Sequence, residues 1–228
     1  MQTTIKGYNF TVNDTFSYFW PYFKRTNWEK FTFDCIEKNK GGKVFWDMGA
    51  WIGPISLYAS KIFDKVAAWE PDNVAHHELM INLRLNSISN VFVNKKGIYS
   101  EETTVRFGKG ETGWGDSTSS INSGDDDSYI IETMTINQAL DLYGQPSFVK
   151  IDIEGGEEYI LDDLINHRFN KIHLSVHNAF IKNLDAFLIK LNILMCYYDC
   201  WDWHSKKISN FDMHMDAHNM DLYLELKK

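Results

Sequence analysis

An aspartate, two glycines and a glutamate fall where buried apolar runs give way to polar turns. In "WDMGAWIG", residues 46–53, Asp47, Gly49 and Gly53 stand between the strand-like "KVFW" and the helix-patterned "PISLYASKIF". A plain connection between core elements needs neither a carboxylate nor two glycines. A backbone that a ligand approaches closely can need both. The helix start beyond Gly53 offers free N–H groups and a partial positive charge, which suit a carboxylate or phosphate. The next apolar run ends "AAWEPD", so Glu70 follows the glycine turn by roughly 20 residues, the distance at which an acid grips ribose hydroxyls.

The missing first glycine of G-x-G-x-x-G narrows the ligand. The pattern here is Asp47-x-Gly49-x-x-x-Gly53, which suits an amino-acid carboxylate better than a pyrophosphate. Asp47 is placed to attract an ammonium group. Ribose hydroxyls, an ammonium and a carboxylate together describe S-adenosyl-L-methionine, and a nicotinamide cofactor with hydride transfer ranks second. Asp72 and Asn73, after the second strand, and Gly97, after the third, are expected near the adenine.

A second group lies in "FVKIDIEGGEE". Alternation sends Phe148, Lys150, Asp152 and Glu154 to one face and Val149, Ile151 and Ile153 to the other. A strand buried on both faces tolerates such a polar stripe only where the charges pair or border a crevice. Asp152 and Glu154 come last, at the end of the strand where ligands bind. His177 closes "KIHLSVH" at the same edge and is a candidate general base for an acceptor hydroxyl.

The elements that must position these residues alternate. From Lys43 onward the strands are "KVFWDM", "KVAAWE", "VFVNKKGIYS" (with "TTVRFG" as a hairpin extension), "FVKIDIE", "KIHLSVH" and the terminal "DLYLELK". Helical patterns separate them at "PISLYASKIF", "DNVAHHELMINLRLN", "EEYILDDLINH" and "LDAFLIKLNILM". Such alternation predicts an α/β, Rossmann-like, doubly wound and mostly parallel sheet, with its ligand at the carboxyl ends of the strands. The polar stretch Gly108–Ser128 is long for a loop and is expected to shape an acceptor pocket.

At 228 residues and 44% hydrophobic, the chain suits one domain (residues 43–228) preceded by an aromatic-rich extension (residues 1–42) packed against it. The formal charge of −8 opposes a nucleic-acid or anionic-membrane partner. No secretory pattern opens "MQTTIKGYNF", and three cysteines make a poor disulfide framework, so a reducing, cytoplasmic setting is expected. Cys196, Cys200, His204, His214 and His218 lack the spacing of a common zinc site, and no metal ligands are assigned; a divalent ion beside Asp152 is left open, since nothing in the spacing demands one. Asp125–Asp127 reads as a solvated loop tip. Homo-oligomerisation is left open.

Together "FWDMGAWIGPISLYAS", "AAWEPD", "INLRLN" and "VKIDIEGGEEYIL" resemble the FkbM-type S-adenosylmethionine-dependent methyltransferases, over about Trp28–His177. The resemblance implies a class I methyltransferase fold of seven strands with the last one antiparallel. It also implies a cofactor site at Asp47, Gly49, Ala50, Gly53 and Glu70, and an active-site edge at Asp152 and Glu154. Trp51 departs from the family pattern, where asparagine is commoner; its ring is expected to wall the methionine end of the pocket. The expected reaction is methyl transfer to a hydroxyl of a glycan or small natural-product-like acceptor. A catalytically inactive nucleotide-binding scaffold of the same fold is the reading from outside the enzyme class.

Overall fold

The computed structural model describes residues 1–122, 127–211 and 219–228. Asp125, Asp126, His214 and His218 therefore lie outside the described residues. The chain opens with an antiparallel hairpin, β1 (Gln2–Ile5) and β2 (Tyr8–Thr11), then helices α1 (Phe19–Arg25) and α2 (Lys30–Lys38). Alternating elements follow: β3 (Val44–Met48), α3 (Pro54–Ala59), β4 (Lys65–Trp69), α4 (Asn73–Leu85) and β5 (Val91–Asn94). After β6 (Gly97–Ile98), β7 (Thr104–Phe107) and β8 (Tyr129–Met134) come α5 (Ile136–Tyr143), β9 (Phe148–Ile151), α6 (Leu161–His167), β10 (Lys171–His177) and α7 (Leu184–Cys196). Strands β11 (Tyr198–Asp202), β12 (Lys207–Ile208) and β13 (Asn219–Leu226) complete the chain.

The main sheet runs β12-β11-β13-β10-β9-β3-β4-β5. Strands β10, β9, β3, β4 and β5 are mutually parallel, and the last strand, β13, runs antiparallel between β10 and β11. This is the expected architecture, with an eighth strand where seven were implied. The addition is the two-residue β12, folded back on β11. Among the described residues no helix is long and apolar enough to cross a membrane.

Two local expectations are corrected. "TTVRFG" does not extend β5. The main-sheet strand stops at Asn94, and β7 pairs with β8 in a separate three-stranded sheet, order β6-β8-β7. The strand "FVKIDIE" is shorter than its alternation suggests, ending at Ile151, because Glu154 and Gly155 take left-handed backbone angles, φ 53° and 91°.

Three helix starts around the sheet have a local cause. Pro54 occupies the first turn of α3, where its missing N–H is no loss. The Asp72 side chain accepts from the Val74 and Ala75 N–H groups and caps α4. Thr135 and Gln138 form a reciprocal capping box on α5.

Two cores pack the sheet. Trp46, Met48, Val149, Ile151, Leu174 and Val176 face α5, α6 and α7 on one side. On the other, Phe45, Phe148 and Tyr223 join residues of α3 and α4 and the N-terminal Phe16, Phe19, Trp20, Phe33 and Ile36. The second face is not wholly apolar. Asp47, Lys150, His173 and Tyr223 fall in one register row across β3, β9, β10 and β13. Helix α2 covers that row, with Thr32 Oγ1 3.1 Å from His173 Nε2.

Candidate active site

The ends of β3, β4, β9 and β10 open into a cavity of about 290 Å³. Its first wall is the turn after β3. Gly49 has φ 79°, and a Cβ there would stand 1.7 Å from the Asp152 carbonyl oxygen, so glycine is required by both backbone angle and space. The N–H groups of Gly49 and Ala50 both donate to the Trp69 carbonyl at 3.0 Å, which ties the turn to the end of β4. At Gly53, φ is 96° and a Cβ would meet Leu79 Cδ1 at 2.5 Å, so this glycine lets α3 seat against α4.

Between the glycines, Trp51 is itself left-handed, φ 49°. Asparagine takes that conformation more readily than a bulky residue, which accounts physically for the family's preference. Here the conformation is held by contacts. The Trp51 N–H donates to Glu70 Oε2 at 2.7 Å, and its indole Nε1 donates to the Gly115 carbonyl at 2.7 Å. The ring packs edge-on against Phe19, centroids 4.5 Å apart.

Glu70 lines the cavity. Its oxygens accept from the Trp51 and Asp72 N–H groups at 2.7 and 2.8 Å, and each retains a lone pair for another donor. Burial pushes its carboxyl up to about 8, against the pull of those two N–H groups. A diol would find both oxygens already oriented. Gly97 also lines the cavity, between Lys96 and Ile98.

Four expected cofactor residues are not on the wall: Gly53, which serves the packing of α3 on α4, and three polar ones. Asp47 is fully buried behind it, accepting from Ser56 Oγ at 2.6 Å and lying 3.5 Å from Lys150 Nζ. Burial raises its carboxyl, against the pull of Lys150 and Ser56, and it faces the lysine rather than the cavity. Asp72 is spent as the α4 cap and as an acceptor for the Gly115 N–H and Ser119 hydroxyl. Asn73 sits in a neighbouring cleft with Tyr129, whose hydroxyl accepts from its backbone N–H.

At the other end of the cavity stand Asp152, Glu154 and His177. Lys150 lies between the two ends, buried, donating to the Gly49 carbonyl at 2.6 Å and 3.2 Å from Asp152 Oδ2. Burial opposes the charge of Asp152, but Lys150 and His177 outweigh it and hold the carboxyl below its usual range. Burial also works against His177 as a cation. The hydrogen bond to Glu157 and the Asp152 and Glu154 carboxylates overcome this and hold the imidazole up at about 10. These contacts favour the protonated ring, whereas the expected general base would need it neutral. Glu154 is raised to about 8, chiefly by burial, then by Asp152 and Glu157.

Glu29 is a cavity residue that the sequence pattern does not single out. It stands at the start of α2 with φ 51° and accepts from Thr32 Oγ1 at 2.6 Å. Burial, with Asp152 and Asp221 nearby, raises its carboxyl to about 8. The roof is the loop after β7, from which Asp116, Ser117, Thr118, Ser119 and Ile121 reach the cavity.

The chemistry of these walls fits S-adenosylmethionine. Glu70 presents an oriented carboxylate of the kind a ribose diol requires, the Gly49–Trp51 backbone lines the same cavity, and so does the Asp152 carboxylate.

The methyltransferase FkbM domain model matches residues 26–224, reaching past the stretch that carries the sequence resemblance. Similar solved structures include the methyltransferase FkbM from Methylobacillus flagellatus, at 22% identity over 80% of this chain and 43% of that one, TM-score 0.48. The present chain thus spans less than half the length of that relative. A Streptococcus mutans protein described as a methyltransferase and solved with SAH matches at 11% identity, 86% and 97% coverage and TM-score 0.53. An rRNA methylase from Streptococcus thermophilus matches at 8% identity, 86% and 95% coverage and TM-score 0.51. At such identities the last two show the class I methyltransferase fold alone. No curated protein matches the sequence.

Proposed function

Since this chain belongs to the methyltransferase FkbM domain family, dependent on S-adenosylmethionine, we propose that it transfers the methyl group to a hydroxyl of a sugar or small natural-product-like acceptor. One observation carries the reading: a single cavity has the Glu70 carboxylate and the Gly49 turn at one end, and Asp152, Glu154 and His177 at the other. The first end holds a nucleoside with an amino-acid tail. The second holds a nucleophile and manages its proton.

The sulfonium is already electrophilic, so the protein's work is alignment and proton removal. Glu70 and the Gly49–Trp51 backbone hold the cofactor. Asp152, kept ionised by Lys150, orients the acceptor oxygen. The acceptor's proton passes into the Asp152–Glu154–His177 cluster, where His177 is steered by Glu157 at 3.2 Å. The loop residues Asp116–Ser119 help to exclude water from the reacting oxygen.

The acceptor end is walled by Glu29, Asp152, Glu154 and Asp221, with Trp28 and Trp51 alongside. Carboxylates and aromatic rings favour an uncharged polyhydroxy compound and repel a phosphate backbone, as does the net charge of −8. This supports a glycan or metabolite acceptor over nucleic acid.

The test is a cofactor-consumption assay against pooled glycans and metabolites, with mass spectrometry for an added CH₂. Asp152→Asn is expected to abolish turnover while calorimetry shows nearly unchanged cofactor affinity. Cofactor binding without consumption over the whole acceptor panel would favour the inactive scaffold instead.

A further inference from the structure

At the acceptor end of the cavity three side chains converge on one point. A carboxylate oxygen from Asp152, another from Glu154 and a ring nitrogen of His177 all lie within 4.8 Å of one another. His177 Nε2 is 3.4 Å from Asp152 Oδ1 and 3.5 Å from Glu154 Oε2. The three groups come from different stretches of backbone: Asp152 directly after β9, Glu154 in the left-handed turn beyond, and His177 at the end of β10.

The imidazole carries the argument. His177 is 5% exposed, and its Nδ1 is engaged by Glu157 Oε1 at 3.2 Å. Glu157 is itself fully buried and fixed by the N–H groups of Ile153 and Gly155 at 3.0 and 2.8 Å. A carboxylate pinned in this way holds the ring through Nδ1 and aims Nε2 into the cluster, as in the outer shell of metal-bound histidines, and an ion bound there takes the place of the Nε2 proton. Nε2 has no hydrogen-bond acceptor among the described residues, and faces only the two carboxylates at ion-pair range. The Glu154 carboxylate has no hydrogen-bond donor among them either. Lys150 engages Asp152 through Oδ2, which leaves Oδ1 turned toward His177.

The geometry points to a divalent cation site formed by Asp152 Oδ1, Glu154 Oε2 and His177 Nε2, with an ion of the Mn²⁺ class as ligand. One imidazole and two carboxylates form a mixed nitrogen–oxygen set that suits divalent first-row ions. Ligands at about 2.1 Å in neighbouring coordination positions stand roughly 3 Å apart, so the two separations from His177 need to close by only a few tenths of an ångström. Coordination positions left open on the cavity side would take acceptor hydroxyls and lower their pKa. That role rests on the methyl-transfer reading, whereas binding of the ion does not.

The experiment uses the full chain stripped with a chelator, titrated with MnCl₂ alone and followed by electron paramagnetic resonance. The expected result is one bound Mn²⁺ per chain, weakened at least about tenfold in Glu154→Gln and in His177→Gln. Glu157→Gln, which keeps the ring's neighbour but removes its charge, should weaken binding by about tenfold or more. Glu154→Gln loses no hydrogen bond, so its folding, checked by circular dichroism, should be unaltered, and the test stands even if the histidine variant unfolds. Absence of stoichiometric Mn²⁺ binding, or binding indifferent to Glu154→Gln, would overturn the site. Calorimetry with S-adenosylmethionine on the same samples separates the two proposals. Cofactor bound without Mn²⁺ removes the cation site alone, and Mn²⁺ bound without cofactor leaves the site standing while removing the methyl-transfer reading.

Discussion

Gly49 and Gly41 make a matched pair for alanine substitution. Their φ values are 79° and 81°, but a Cβ at Gly41 meets nothing within 4 Å, whereas one at Gly49 lies 1.7 Å from the Asp152 carbonyl oxygen. Both variants bear the left-handed penalty of about 1–2 kcal/mol. Only Gly49→Ala must also open the gap between the turn and β9, by about 1.6 Å to reach an ordinary carbon–oxygen contact of about 3.3 Å. That movement lies beside the Asp152 N–H to Met48 carbonyl hydrogen bond, 3.1 Å long, at the base of the cavity. Overpacking typically costs about 1–3 kcal/mol, and a buried hydrogen bond left unmade about 1–3 kcal/mol more. Gly49→Ala should therefore be less stable than Gly41→Ala by roughly 2–6 kcal/mol, or about 4–24 °C in Tm for a chain this long. Differential scanning calorimetry measures the gap, and isothermal titration should find S-adenosylmethionine binding intact in Gly41→Ala and lost in Gly49→Ala. Equal melting temperatures, or normal cofactor binding by Gly49→Ala, would refute the claim that backbone proximity demands this glycine.

Three further outcomes follow from groups around the cavity. The Glu70 carboxyl, raised to about 8 by burial, must ionise to accept two ribose hydroxyls, so cofactor affinity should climb as pH rises through about 8 and level off above it. Glu70→Gln should bind weakly and flatten that profile, and a wild-type profile that falls over this range would count against the ribose role. For the free protein the sign is opposite: the stability linked to the raised Glu70 carboxyl is full below its unfolded value near 4.5 and is lost as pH rises through about 8. Lys150→Met leaves the buried Asp47 and the cavity-lining Asp152 without their shared cation, and should cost about 3–5 kcal/mol in urea denaturation; a loss under about 1 kcal/mol would show the pairing to be dispensable. Trp51→Phe removes the indole hydrogen bond to Gly115 while keeping a ring, and should speed amide exchange in residues 113–119 without large loss of stability.

Patterns of period two and 3.6 were enough to find the parallel strands and most of their covering helices, because a sheet buried on both faces writes long apolar runs. They passed over β8 and β11. "YIIETM" lies behind a polar stretch, and "YDCWD" alternates with aspartates, so neither shows the apolar run of a buried strand. The site divides along similar lines. Gly49, Gly53, Glu70, Asp152 and Glu154 stood out because each breaks the apolar pattern of a strand end. Asp47 and Asp72 break it equally well, yet one neutralises a buried lysine and the other caps a helix. Residue type alone does not separate a carboxylate that serves the fold from one that meets a ligand; its partners do. Glu29 gave no signal at all, because its position depends on α2 lying across β10 and β13, a contact between segments more than 140 residues apart in sequence. The protonation of His177 was hidden for the same reason, since Glu157 reaches it from another segment.

Trp51 joins three parts of the molecule that are far apart along the chain. Its amide steadies Glu70, its indole nitrogen holds the loop at Gly115, and its ring is boxed by Phe16, Phe19 and Trp28. The roof loop and the amino-terminal helices thereby share one side chain as a common contact, beside the Asp72 bonds that also hold the loop at Gly115 and Ser119. The same residue thus binds the cavity carboxylate through its backbone and the loop above through its ring. A change in its ring would therefore be felt at two places that the sequence sets 45 residues or more apart, the wall at Glu70 and the loop at Gly115.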